Sequence, residues 1–398
     1  MTYLKIALIF ILPLLGIGLV IWHYYLEPKL TMFDEDRRVE NFRNMQKLFP
    51  SKPILAATEP YHFQENQIPL NISYSFLGEV HQMWKFLERI STTGLLIIKD
   101  DVIVCEKYFL GESKTSKHTS WSVAKSFISA LIGIAINEGC IDSVNDPITQ
   151  YVPELENSAY NNVPIKHILQ MSSGVQFNEN YDDKNADINK LLDQLYLYAL
   201  PIERVILNFP SQRSSGESLE YISINTQILS LLLKRVTGKD IASNVREKIW
   251  QPMGAEYDAS WLTDLYGNEV TFCGLNATLR DYAKFGLLYL HGGKFNGKQI
   301  IPESWVKESI KPDRPYLKPG ETGEINAYWG YQYHWWVPVG SQGDYCANGA
   351  WGQYIYINPE KNLVIAKTGA GNSVFRTPDD DETIILFRAI AEELTINN

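Results

Sequence analysis

Cysteine and histidine are scarce in this 398-residue chain, and neither is arranged for a metal. The four cysteines (Cys105, Cys140, Cys273, Cys346) lie far apart with no C-x-x-C, and the seven histidines form neither H-x-H nor H-E-x-x-H. Zinc-ligand spacings are therefore missing, no metal or cofactor is expected, and buried free thiols are the natural reading of the cysteines. Positive charge is also in short supply: 36 Lys and Arg face 46 Asp and Glu, the net charge is −10, and no basic cluster stands out. That balance excludes nucleic acid as an expected partner. Internal repeats and low-complexity tracts are absent. Charge is missing altogether from residues 6–22, a run of 17 that continues into His23-Tyr24-Tyr25-Leu26, with Lys5 as its positive flank. A cleaved signal peptide is the competing reading, because Gly16-Ile17-Gly18 imitates a small-residue cleavage site. Leu19-Val20-Ile21-Trp22 carries the apolar run past that point, so the expectation is a transmembrane anchor over 1–26. Lys29, Arg37 and Arg38 weaken the positive-inside signal, yet large domains translocate regardless of such charges, and an extracytoplasmic (periplasmic) domain is expected.

What is present is an ordinary globular composition, 45% hydrophobic and 21% charged, sufficient for a substantial core. Residues 27–75 read as a connector and irregular wrap, since Phe49-Pro50-Ser51-Lys52-Pro53 and Glu59-Pro60 interrupt any helix. Residues 76–398 form the main domain. Apolar runs on either side of Lys99-Asp100-Asp101 predict a β-hairpin over 94–109. An apolar helix then starts at Ser122 and stops near Gly139. From about 140 to 265 helical pieces dominate (165–171, 188–200, 225–237, 241–250), and a further helix spans 279–290. Strand signals follow at 328–337, 352–357 and 363–367, before a closing helix over 381–394. Strands at both ends with a helical lobe inserted between them describe an α+β sheet domain.

Three short stretches carry chemistry. In Ser122-Val123-Ala124-Lys125 a hydroxyl and an amine lie one helical turn apart on one face. Ser122 opens the helix, where the dipole and free N–H groups favour developing negative charge. A lysine buried at this point is suited to proton handling beside a nucleophile. Tyr221-Ile222-Ser223 comes 96 residues after Lys125, at the mouth of another helix; a phenolate near an ammonium is stabilised, so Tyr221 is a candidate general base. In Cys346-Ala347-Asn348-Gly349-Ala350-Trp351-Gly352 small residues let a strand approach a substrate, and the N–H groups of Ala350 and Ser122 are candidates for an oxyanion hole. Each stretch alone also has an ordinary reading: a chance Ser and Lys, a tyrosine packed at a helix start, a glycine-rich turn.

Together, in this order, the three resemble the serine β-lactamase-like, penicillin-recognising hydrolase superfamily, most closely its class C/esterase branch with the 6-aminohexanoate-dimer hydrolases. The family pattern of S-x-x-K, Y-x-N/S and K-T-G or its replacement is met by Ser122-Lys125, Tyr221-Ile222-Ser223 and Ala347-Asn348-Gly349. Ile168-Leu169-Gln170-Met171-Ser172-Ser173-Gly174 and Leu275-Asn276-Ala277-Thr278-Leu279-Arg280-Asp281 also look like this group, and the likeness spans roughly 75–395. The resemblance implies a β-lactamase/transpeptidase-like fold, a central antiparallel sheet flanked by helices. It implies a serine hydrolase acting on a small ester or amide: Ser122 as nucleophile, Lys125 and Tyr221 as proton acceptors, Ser223 in support, and Asn348, Gly349 and Trp351 along the cleft. Lys367-Thr368-Gly369 spells the family K-T-G but reads as a decoy. The glycine and Pro-Glu-Lys-like turn expected after the motif follow Ala347-Asn348-Gly349 instead, as Gly352 and Pro359-Glu360-Lys361. With Ala347 uncharged and Ser223 in place of asparagine, efficient β-lactam hydrolysis is not expected. Trp335, Trp336, Trp351 and Tyr354 are candidates for an apolar cleft, at least half of them for core packing. A peptidoglycan D-amino-acid peptidase, a weak β-lactamase and a non-catalytic anchored binding or sensor module stay open as alternatives, and so does the oligomeric state.

Overall fold

Strand-forming runs that are apolar at every position, such as Leu95-Leu96-Ile97-Ile98, need cover on both faces, and the fold supplies it. A computed structural model describes residues 13–20, 22–320, 329–340, 342–372, 374 and 377–396. Among these residues a central sheet contains β1 (Gln64–Glu65), β2 (Thr92–Lys99), β3 (Val102–Tyr108), β4 (Gly330–Gln332), β5 (Trp335–Val337), β6 (Tyr345–Gly349), β7 (Gln353–Asn358) and β8 (Leu363–Gly369). Their spatial order is β4-β5-β6-β7-β8-β2-β3-β1, antiparallel except for the parallel pair β1 and β3. The strand period of two sends Leu96 and Ile98 into one apolar cluster and Leu95 and Ile97 into the other. Asp100 and Asp101, with φ of 51° and 65°, close the two-residue hairpin between β2 and β3, the geometry that matches strand twist.

On one face lie α1 (Ala124–Asn137), α2 (Ser223–Thr237) and α3 (Leu279–Leu290); on the other, α4 (Pro378–Ile396) packs Ile384, Phe387 and Ile390 against Tyr354, Tyr356 and Ile365. The helix α1 is central, and Phe127 stacks on Phe285 of α3 at 3.7 Å between ring centroids. Gly286 lets α3 lie directly on the sheet, since a Cβ there would stand 2.6 Å from Val364 Cγ1 and 2.8 Å from Ile355 Cγ2. A smaller sheet orders Ser51–Ile54, Ala259–Leu262, Leu275–Ala277 and His118–Thr119, and it fixes the strand that leads into Ser122.

Three sequence expectations differ from the structure. The stretch 27–75 is not an irregular wrap: it contains helices Glu35–Arg43 and Met45–Leu48 and the strand Ser51–Ile54, and it buries Phe42, Met45, Phe49 and Ile54 in the main core. Pro50 does end a helix, but Pro53 is tolerated because its strand is an edge. Of the expected strand 328–337, residue 328 lies outside the described residues and the rest holds two strands, 330–332 and 335–337, turned by Tyr333 and His334 at φ 38° and 66°, a conformation that no glycine announces. No described helix is long and apolar enough to cross a membrane. Residues 1–12 and 21 of the expected anchor lie outside the described residues; 13–20 are helical and expose Leu14, Leu15, Ile17, Leu19 and Val20. All four cysteines are free thiols, with Cys105, Cys273 and Cys346 buried and Cys140 half-buried.

Candidate active site

The segment entering α1 is held by the small sheet. His118 and Thr119 pair with Ala277 and Asn276, and the Ser120 N–H donates to Leu275 O at 2.8 Å. Trp121 then takes φ +44°, costly for a bulky side chain, and so swings Ser122 into a short 3-10 turn ahead of α1. Lys125 lies on the first turn of α1, 1% exposed. Its ammonium donates to Ser122 Oγ at 2.8 Å and to Phe272 O at 3.0 Å. The same nitrogen stands 4.9 Å from the Tyr221 ring centroid and 5.8 Å from that of Phe272, so two ring faces replace a carboxylate around this charge. Lys125 forms no ion pair among the described residues. Tyr221 is positioned by Trp336, stacked at 5.4 Å, and by Tyr331, edge-on at 5.9 Å. Ser122 and Lys125, neighbours in sequence, and the distant Tyr221 therefore meet around one amine.

Ser223 lies elsewhere than expected. Its hydroxyl donates to Glu179 Oε1 at 2.5 Å and its N–H to Glu179 Oε2 at 2.9 Å, so its hydroxyl serves Glu179 and not the Lys125–Tyr221 pair. Tyr181 adds a third donor, its hydroxyl 2.9 Å from Glu179 Oε1. Burial pushes the Glu179 carboxyl above its ordinary range, against the opposing pull of the Lys125 charge and the Ser223 bonds. Nothing in Phe177-Asn178-Glu179-Asn180 marks this residue in the sequence; the only usable signal was a serine at Ser223 in need of an acceptor. The loop bearing Phe272 is likewise silent in sequence. It is held by Gln227, whose Oε1 accepts from Thr271 N–H at 2.9 Å and from Thr271 Oγ at 3.0 Å.

Ser122 opens on a cavity of about 220 Å³ whose walls include Trp121, Phe272, Cys273, Ala350 and Trp351. Burial pushes the Cys273 thiol up to about 12, so it is inert in this wall. A second cavity of about 720 Å³, lined by Tyr221, Glu179, Asp187 and Glu220, adjoins it through Tyr181, Asp182 and Val374. Gly349 at the end of β6 is required to be glycine: a Cβ would lie 2.6 Å from Ser120 O and 3.0 Å from Ser122 N. The strand thus runs against the serine turn and delivers Ala350 to the same cavity. Asn348 does not line it; its side-chain nitrogen is buried with no partner among the described residues. Of the four candidate rings, Trp351 lines the cavity and Trp336 backs Tyr221. Trp335 is core packing beside Tyr289 at 4.2 Å, and Tyr354 faces α4 across the sheet. Two residues missed by sequence reasoning, Phe33 and Arg38, enter from the supposed connector, Phe33 stacking on Trp351 at 5.0 Å.

Lys367 of Lys367-Thr368-Gly369 lies on β8, two strands from β6, and lines neither cavity. Its amine donates to Gly352 O at 2.9 Å beneath the Tyr354 ring, and burial pulls its pKa down to about 7.

The family model described as Beta-lactamase matches residues 85–387, which contain all of these side chains except Phe33 and Arg38. The chain belongs to the beta-lactamase family. It shares 26% identity over 339 residues with the 6-aminohexanoate-dimer hydrolase of Paenarthrobacter ureafaciens, covering 82% of this chain and 83% of that one. A solved structure from Bacillus anthracis, assigned by name to the 6-aminohexanoate-dimer hydrolases, superposes with a TM-score of 0.82 at 25% identity, over 92% of this chain and 96% of that chain. The penicillin-binding protein homologue of Pyrococcus abyssi shares the fold, with a TM-score of 0.58 at 19% identity over 79% of this chain and 76% of that chain. The architecture is accordingly the β-lactamase/transpeptidase-like α+β fold of a hydrolase family.

Proposed function

We propose that this protein is a serine hydrolase that cleaves ester or amide bonds through an acyl-enzyme on Ser122. The observation that carries the reading is the 2.8 Å bond between the Lys125 amine and Ser122 Oγ, made where that amine also faces the Tyr221 ring. Ser122 Oγ attacks the carbonyl and its proton passes to the Lys125–Tyr221 pair. The oxyanion is held by the N–H groups of Ser122 and Ala350; this role for Ala350 is supported by the approach that Gly349 permits. The proton returns to the leaving oxygen or nitrogen as the bond to carbon breaks. Water, activated by the same pair, then releases the acid and restores Ser122. Glu179 orients the start of α2 through Ser223. The test is hydrolysis of a p-nitrophenyl ester together with fluorophosphonate labelling. Ser122→Ala is expected to lose several orders of magnitude in rate and all labelling; wild-type activity in that variant would end the proposal. A wild-type protein that folds but neither labels nor turns over would instead favour a binding module.

The kind of substrate follows from the same site. The absence of a lysine at Ala347 favours esters and linear amides over β-lactams. The relative from P. ureafaciens, named for an amide dimer, agrees with that choice. Membrane attachment through residues 6–22, with the domain on the extracytoplasmic side, belongs to this reading as well. It is supported by the uncharged run and the exposed Leu14, Leu15 and Leu19. Sedimentation of the full chain with membranes, reversed by detergent and not by high salt, tests it.

A further inference from the structure

Several cations of this chain that are buried or nearly so come with carboxylates. Arg280, 2% exposed, is clasped by Glu106 at 2.7 and 2.5 Å and by Glu65 at 2.5 Å. Arg388 binds Asp344 through two contacts of 2.7 and 2.9 Å. Lys284, fully buried, pairs with Glu256 at 3.1 Å and with Asp281 at 3.4 Å. Arg38 has no such partner among the described residues; nor have Lys125 and Lys367, but of the three only Arg38 lines the cavity on which Ser122 opens. It sits on the inward face of helix Glu35–Arg43 with Asn41 and Phe42, is 7% exposed, and makes no ion pair among the described residues. Its Nε donates to Ala370 O at 3.0 Å and its Nη2 to Asn372 Oδ1 at 2.6 Å, both neutral acceptors. A guanidinium has five N–H donors, so three are without a partner among the described residues. The side chain lines the 220 Å³ cavity that also holds Ser122, Ala350 and Trp351.

A desolvated guanidinium without an ion-pair partner is expensive, and an anion that docks on it offsets that cost. Burial lowers the Arg38 pKa, with Glu35 the charge opposing that shift, as expected of a cation waiting for a partner. The two bonds to Ala370 and Asn372 hold the fork rigid, which is the preorganisation that two-point capture of a carboxylate uses. The neighbouring 720 Å³ cavity carries Glu179, Asp187 and Glu220, and Asp182 stands where the two cavities adjoin, so the Ser122 lobe, with Arg38 in its wall, is the less acidic of the two.

We propose that Arg38 is the anchor for a carboxylate carried by the substrate of Ser122, which makes short carboxylate-bearing esters or amides the preferred substrate class. The inference rests on the reading of Ser122 as nucleophile. It assigns a specificity role to a helix that lies outside the stretch matched by the family model.

The test compares charged and neutral partners in two series. One is mono-p-nitrophenyl glutarate against its methyl ester; the other is 4-acetoxybenzoate against methyl 4-acetoxybenzoate. For each pair the ratio of kcat/KM, corrected for alkaline reactivity, is measured in the full-length wild type, R38Q and R38K. The expected result is a wild-type preference for the carboxylate of at least about tenfold in one series, carried by KM, with that preference lost in R38Q and reduced in R38K. A preference below tenfold in both series, or one that survives in R38Q, overturns the proposal. If R38Q does not fold, the wild-type preference and its reduction in R38K decide the matter alone. The neutral esters separate this result from the parent reading: if the wild type cleaves them and labels at Ser122 but shows no carboxylate preference, only the role of Arg38 falls. If it does neither, both fall.

Discussion

Replacing Lys367 by methionine probes at once a buried charge and the identity of the cleft motif. Lys367 is 1% exposed, and its pKa lies near 7 against 10.5 for a free lysine. A shift of about 3.5 units at about 1.36 kcal/mol each sets an upper scale of roughly 5 kcal/mol for charging it in place. Between the two values the unfolded chain binds a proton that the folded chain does not, so this group makes stability rise with pH. Below pH 7 both states are protonated and the slope vanishes; above 10.5 both are neutral. Methionine removes the charge, fills much the same volume under Tyr354, and leaves Gly352 O without its donor, at a cost of about 1–3 kcal/mol. Lys367→Met is therefore expected to be more stable than wild type at pH 7 by about 1–3 kcal/mol. From pH 7.5 to 9.5 that advantage should shrink by about 2–3 kcal/mol. Urea midpoints across that range measure it, and an advantage that does not change with pH would refute the reasoning. The variant should also retain fluorophosphonate labelling. A folded variant that loses it would put Lys367-Thr368-Gly369 back in the active site.

The other variants follow from named contacts. Gly349→Ala places a methyl 2.6 Å from Ser120 O, which must displace the serine turn, and a labelling rate about a hundredfold lower is expected with the fold retained by circular dichroism. Gly133→Ala drives a Cβ to 2.2 Å from the Trp305 ring and should lower stability by about 1–3 kcal/mol, read as a drop in Tm. Glu179→Gln loses acceptor capacity for Ser223 and Tyr181, so kcat should fall. Because the native carboxyl titrates above its ordinary range, any acidic limb that it contributes to the pH–rate profile should vanish in this variant.

How much of this was legible in the sequence depends on the range of the interactions. The hairpin around Asp100 and Asp101, the apolar α1 and the closing helix follow from local periodicity and turn chemistry. The two strands 330–332 and 335–337 were fused into one because their turn uses Tyr333 and His334 at positive φ, residues that carry no turn signal. Ser122 and Lys125 share a helical turn, so their contact is local. Tyr221 was recognisable only through its motif order. Glu179 and Phe272 reach Ser223 and Lys125 from loops with no periodicity, and Arg38 arrives from a segment read as a connector because Pro50, Pro53 and Pro60 stood in it. Its helix is amphipathic in a way visible only once Phe42 is seen to face Trp121 and Trp351.

The central claim is that Ser122 is the nucleophile. Incubation of the folded full-length protein with a fluorophosphonate, followed by peptide mass spectrometry, tests it most directly. One adduct is expected, on the peptide containing Ser122, abolished in Ser122→Ala and slowed in Tyr221→Phe. An adduct on another residue, or a folded wild type that turns over esters with Ser122 unmodified, would contradict it.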